Sequence, residues 1–198
     1  MSDILCVTNR KLCKEDFLQR IERIAKAEPK GIILREKDLE PQEYKKLAEA
    51  VLLQCRQQGI VCILHNFTDV AMALECTAIH VPIPVLRTLK ETEKKNFTIL
   101  GTSCHSVEEA KEAEKLGCTY ILAGHIFETD CKQGLSGRGV DFLRRVCESV
   151  DIPVYAIGGI DEKNVHLIRN AGAEGACVMS SIMTCREPKQ YLAQLNRV

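Results

Sequence analysis

Ser106-Val107-Glu108-Glu109-Ala110-Lys111-Glu112-Ala113-Glu114-Lys115-Leu116-Gly117 is followed, after Cys118-Thr119, by Tyr120-Ile121-Leu122-Ala123-Gly124. In the first part Val107, Ala110, Ala113 and Leu116 fall on one helical face, while Glu108, Glu109, Lys111, Glu112, Glu114 and Lys115 face outward. Ser106 stands as an N-cap with Glu109 three residues on, and Gly117 as a stop. The second part is short and wholly apolar, the pattern of a strand covered on both faces of a parallel sheet. One amphipathic helix feeding one buried strand is the unit from which the rest of the chain is read.

Matching apolar runs lie at Ile4–Val7, Gly31–Leu34, Val61–His65, Ala78–Val81, Thr98–Gly101, Val154–Ile157 and Gly175–Met179, with amphipathic segments between them. Asp161 to Gly172 repeats the helical pattern through Val165, Ile168 and Ala171. Eight strands alternating with eight helices in 198 residues predict an α/β fold, a closed (β/α)8 TIM barrel over residues 1–198 as a single domain. An open doubly wound sheet is the second choice. No linker, low-complexity tract or short repeat marks a second domain.

Lys plus Arg and Asp plus Glu number 27 each, so the formal net charge is zero. This balance argues against a broadly basic nucleic-acid surface while allowing a local phosphate pocket. The 11 cysteines are odd in number and include no C-x-x-C pair, unlike a disulfide framework or a structural zinc site. They read as small apolar core residues in a reducing cytosol. The N-terminus lacks a basic segment leading into an apolar one, and no apolar run reaches spanning length. A cytoplasmic protein with no signal peptide and no membrane helix is expected.

Barrel enzymes carry their reacting groups at the carboxyl ends of the strands. Past the sixth strand runs Gly124-His125-Ile126-Phe127-Glu128-Thr129-Asp130-Cys131-Lys132, and His125 is the side chain suited to moving protons near neutral pH. Ser103 and Thr129 are candidates for positioning a substrate. Lys132 is read as a second cation for phosphate or carboxylate, or as a residue that closes the loop. After the seventh strand, Gly158 and Gly159 allow backbone N–H groups to approach an anion, and Met179-Ser180 follows the eighth; the alternative for the glycines is a tight turn. His80 reads as a barrel-packing residue, and His65 as a strand-end residue with ligand contact as its second reading. Cys104 and His105 face opposite ways, Cys131 has no covalent step to serve, and His166 sits on a helix face.

Thr102-Ser103, Gly124-x-x-Phe127-x-Thr129-x-x-Lys132, Ala156-Ile157-Gly158-Gly159-Ile160 and Met179-Ser180 resemble the thiamine-phosphate synthase superfamily, along nearly the whole chain. The resemblance implies a (β/α)8 barrel and one of two activities. A synthase joins a pyrimidine diphosphate to a thiazole phosphate with Mg²⁺; a TenI-like thiazole tautomerase aromatises the thiazole phosphate carboxylate. Where the synthase pattern has Gln-x-Arg-x-Lys, this chain has Ile33-Leu34-Arg35-Glu36-Lys37, keeping the Arg35 and Lys37 that the resemblance puts in the site. Where it has Asn-Asp, the chain has His65-Asn66. The second metal-binding Asp, of His-x-Gly-Gln-x-Asp, is replaced by Val85. Gly-Pro becomes Gly124-His125, and Thr-x-Thr-Lys becomes Thr129-Asp130-Cys131-Lys132.

These departures resemble the tautomerase branch. The expectation is therefore an isomerase of thiamine biosynthesis in which His125 removes and returns protons at carbon. Arg35, Lys37, Ser103, Thr129, Lys132, Gly158, Gly159, Met179 and Ser180 would hold the substrate, with no metal and no cofactor. The competing expectations are a Mg²⁺-dependent thiamine-phosphate synthase and a non-catalytic TenI-like regulatory or ligand-binding protein. The expected partner is a small thiazole phosphate, with no nucleic acid and no membrane. Oligomeric state is not legible, and a homodimer is left open.

Overall fold

The computed structural model describes residues 2–129 and 134–196. Its eight parallel strands are β1 (Ile4–Val7), β2 (Gly31–Leu34), β3 (Cys62–His65), β4 (Ala78–His80), β5 (Ile99–Cys104), β6 (Tyr120–Gly124), β7 (Val154–Ile157) and β8 (Gly175–Val178). They pair in chain order and close into a barrel, with β1 bonded to both β2 and β8. The expected (β/α)8 architecture is what the chain forms.

Side-chain alternation along the strands produces two cores. Ile4, Cys6, Ile32, Leu34, Leu64, Ile79, Ile121, Ala123, Ala156 and Ala176 belong to the larger one, shared with the helices outside the barrel. Leu5, Val7, Ile33, Ile63, Ala78, Tyr120, Leu122, Tyr155 and Cys177 fill the barrel itself. Being covered on both faces is why the strands read as uninterrupted apolar runs. The parity that sends these residues inward also sends Arg35, His65, His80, Ser103, Ile157 and Met179 to the carboxyl-end mouth.

Among the described residues the helices are α1 (Phe17–Ala25), α2 (Pro41–Gln57), α3 (Thr68–Ala73), α4 (Ile83–Thr88), α5 (Glu91–Lys94), α6 (Val107–Lys115), α7 (Val140–Cys147), α8 (Val165–Asn170), α9 (Ser180–Thr184) and α10 (Pro188–Asn196), with a 3-10 turn at Arg10–Leu12. There are more than the eight expected because two segments are interrupted. Leu89 turns to extended backbone between α4 and α5, and Cys185 does so after α9. Ser106 caps α6 as expected, its hydroxyl accepting from Glu109 N–H at 3.0 Å, but the Glu109 carboxylate accepts from His105 N–H rather than from Ser106. Gly117, with φ 90°, turns the chain out of the helix. No helix of the described residues is long and apolar enough to cross a membrane.

Candidate active site at the barrel mouth

The register pairs His65 with His80 at the ends of β3 and β4, and their rings stack with centroids 5.9 Å apart and planes 18° apart. Both are buried. His80 hydrogen-bonds through Nδ1 to the Tyr120 hydroxyl at 2.9 Å and through Nε2 to Ser103 Oγ at 2.9 Å. Gly101 makes this possible: a Cβ there would run into the Tyr120 ring. The Tyr120 ring in turn meets Tyr155 edge-on, centroids 6.0 Å apart. His80 is thus the hub of a polar network inside the barrel, which goes beyond the packing role read from its apolar neighbours.

Both imidazoles are neutral at ordinary pH. Burial, with Arg35 and then Lys37 nearby, brings His65 down to about 3. Burial, His65 and Arg35 bring His80 down to about 3. The cause is the same in each: a low-dielectric site beside existing positive charge disfavours a further proton. The backbone under His65 is also fixed, since its N–H donates to the Tyr44 hydroxyl at 2.8 Å and that hydroxyl donates to the Leu34 carbonyl at 2.7 Å.

Arg35-Glu36-Lys37-Asp38 is not a uniformly solvated run. Glu36 is 2% exposed. Its carboxylate accepts from the Thr8 hydroxyl at 2.7 Å, from Arg10 N–H at 3.0 Å and from the Arg10 guanidinium at 3.3 Å. Arg10 and Lys11 also grip Asp38, at 2.6 and 2.9 Å, and hydrogen bonds from these two hold Asp38 well below the usual carboxylate range. Thr8 Oγ1 accepts from Arg35 N–H at 2.9 Å, so one hydroxyl ties the ends of β1 and β2 together. The two acids clamp the β1 loop, and the half-buried Arg35 and exposed Lys37 alternate with them. Lys37, His65, Asn66, Phe67 and Pro82 line a cleft of about 190 Å³. Thr8 and Glu36 escaped the sequence reading; the period-two alternation of charge after β2 was the available signal.

Strand order puts β7 and β8 across the mouth from β3 and β4. Gly158 and Gly159 have φ of 103° and 65°. A Cβ on Gly158 would strike His125, and one on Gly159 would strike the backbone of Phe127 and Glu128. Ile126 N–H donates to Ile157 O at 2.9 Å and Phe127 N–H to Gly158 O at 3.0 Å, which zips the β6 loop onto the end of β7. The glycines therefore serve a close backbone approach as well as a turn. Ser180 opens α9 and is exposed, Met179 is half-buried, and Thr129 is half-buried in the β6 loop. Beneath them, Tyr191 donates to Ser181 Oγ at 2.7 Å and Arg20 to the Cys185 carbonyl at 2.8 Å, fixing both ends of α9. Lys132 and Cys131 lie outside the described residues. His125 is half-buried, with Nε2 3.2 Å from the Leu135 carbonyl.

The magnesium that the synthase pattern implies does not match the donors on the β2–β4 side. Asn66 and Val85 stand where carboxylates belong, and Val85 packs against the outer core from α4. Among the described residues no three His, Cys, Asp or Glu side chains gather into a metal site. Glu36 and Asp38 are committed to Thr8, Arg10 and Lys11. Asp161 is committed to its own turn, accepting from Lys163 N–H at 2.9 Å. Magnesium needs hard oxygen ligands, usually carboxylates.

The closed barrel thus carries Arg35 and Lys37 at one side of its mouth and the Gly158–Gly159 pair after β7 at the other. The chain belongs to the thiamine monophosphate synthase family, whose model matches residues 4–182. It is 32% identical over 196 residues to a thiamine-phosphate synthase of Fusobacterium nucleatum, covering 97% of this chain and 94% of that one. It is 34% identical over 181 residues to a putative thiamine-phosphate synthase 2 of Aquifex aeolicus, covering 91% and 97%. The thiamine phosphate pyrophosphorylase of Pyrococcus furiosus superposes with a TM-score of 0.84 at 27% identity, covering 98% and 93%.

These relatives overturn the expected isomerase. The tautomerase reading weighted Asn66, Val85 and the stretch from Gly124 to Lys132, whereas similarity over nearly the whole chain runs to proteins named as synthases, which are transferases. His125 as the acid and base of a tautomerisation goes with it.

Proposed function

We propose that this chain is a transferase of the thiamine-phosphate synthase type, joining a thiazole phosphate to a pyrimidine methyl diphosphate. A ring nitrogen of the thiazole forms a bond to the methylene carbon. The bond from that carbon to the diphosphate oxygen breaks, and pyrophosphate departs with the electron pair. No proton leaves carbon in this exchange, so the reaction asks for charge stabilisation and alignment rather than a base.

The observation that carries the reading is the two-ended mouth. Arg35 and Lys37, just after β2, face the diphosphate end, where their charge offsets that of the leaving group. Backbone N–H groups of Gly158 and Gly159, with Ser180 at the start of α9, take the thiazole's phosphate ester. Between them Ser103, its hydroxyl held 2.9 Å from His80 Nε2, offers a polar group for a heterocycle. Met179 supplies apolar contact from just after β8, and Thr129 borders the site from the β6 loop. His125 shapes the loop through its Leu135 contact.

The test is to incubate the protein with both substrates, with and without divalent cations, and look for the coupled phosphate ester by mass spectrometry. Product at a rate that Arg35→Met lowers about a hundredfold, near 3 kcal/mol of barrier, is expected. Absence of product under every metal condition, from folded protein, would retire the proposal.

A further inference from the structure

We infer that this mouth takes pyrophosphate, released or still part of a diphosphate substrate, as the bare anion and not as a magnesium complex. The inference rests on the transferase reading and departs from the metal requirement which that reading would ordinarily carry.

Its first support is the chemistry of the lining. The cleft beside β3 and β4 presents an ammonium, an imidazole, an amide, an aromatic ring and a proline, from Lys37, His65, Asn66, Phe67 and Pro82. A divalent cation would find no carboxylate there, whereas a polyanion finds a cation and N–H donors.

The second support is where the neighbouring acids go. Glu36 and Asp38 follow Arg35 and Lys37 in strict alternation, yet both carboxylates are held by Arg10, with Thr8 or Lys11 completing the grip. Turning Glu36 toward a metal would leave the Thr8 hydroxyl and Arg10 N–H without their buried acceptor. The acids are structural, and they fix the backbone from which the two cations project.

The third is the sign of the local field. Burial is the main reason His65 and His80 resist protonation, and the charges of Arg35 and Lys37 at His65, and of Arg35 at His80, act in the same direction. Charge that repels a proton at this position repels a divalent cation more strongly and attracts an anion. Excluding the metal leaves the whole charge of pyrophosphate to these side chains.

The experiment is calorimetric titration of the full chain with inorganic pyrophosphate, once with a chelator present and once with magnesium in excess. We expect binding in chelator that magnesium leaves unchanged or weakens, because the metal competes for the same anion. Arg35→Met should weaken the chelator value about tenfold or more with an unchanged circular dichroism spectrum. Asn66→Asp restores one missing carboxylate at a left-handed position, φ 69°, that aspartate tolerates, and should make magnesium favourable to binding. Tightening of the unaltered chain by magnesium of about tenfold or more would overturn the inference while leaving the transferase reading intact. Failure to bind pyrophosphate in either medium would overturn both.

Discussion

Acid should destabilise this barrel well above the range in which carboxylates titrate. His65 and His80 have a folded value near 3 against an ordinary 6.5. Between those values the unfolded chain binds protons that the folded one refuses. Stability is therefore full above about pH 6.5 and declines as pH falls toward 3. At about pH 5 the gap below 6.5 is some 1.5 units, which corresponds to about 2 kcal/mol for each histidine. That figure holds for any folded value below about 4, because only the stretch from 6.5 to 5 contributes. Asp38 adds nothing in this window, since its unfolded carboxyl begins to protonate only near pH 4.

Urea unfolding at a series of pH values between about 7.5 and 5 measures the effect as a fall in midpoint at constant m-value. His80→Gln should remove about half of the slope whatever it does to stability at neutral pH. A flat profile, or the same slope in His65→Gln and His80→Gln as in the unaltered chain, would refute the assignment of two neutral imidazoles to the barrel interior.

Gly158→Ala should cost about 2 kcal/mol or more, because its φ of 103° is unfavourable to a side chain and the added methyl meets His125; thermal unfolding reads it. Tyr44→Phe removes the hydroxyl that serves both Leu34 O and His65 N–H in a buried position, and should destabilise by about 1–3 kcal/mol in the same assay. Glu36→Gln should loosen the β1 loop and raise the KM for the diphosphate substrate more than it lowers kcat, which steady-state kinetics separates. His125→Gln should leave coupling within about threefold, under about 0.7 kcal/mol of barrier, since no proton moves at carbon.

The barrel was legible because covering each strand on both faces leaves its signature in consecutive residues: Tyr120–Gly124 needs no long-range information to be read. Strand ends were less so. The fifth strand was expected at Thr98–Gly101 but runs Ile99–Cys104, since Thr102 and Ser103 break the apolar run while continuing the ladder. Ser103 there bonds His80, and Thr102 donates to the Val81 carbonyl at 2.6 Å. Polar strand ends look like loops in a sequence and become a site only when eight of them converge. His80 was undervalued for this reason, its partners lying 23 and 40 residues away. Glu36 was masked by its charged neighbours, and its burial depends on Thr8 and Arg10 from the preceding unit. The functional misreading had another origin: the histidine after β6 and the missing carboxylates at Asn66 and Val85 outweighed similarity along the rest of the chain, although a half-buried imidazole at a strand end is compatible with several chemistries.

The central claim is that one mouth holds two phosphorylated substrates and joins them. Phosphorus NMR of a reaction containing both follows every phosphate at once. Pyrophosphate and a new monophosphate ester should appear in equal amounts as the diphosphate disappears. Persistence of both starting resonances, with folded protein shown by titration to bind each substrate, would contradict it.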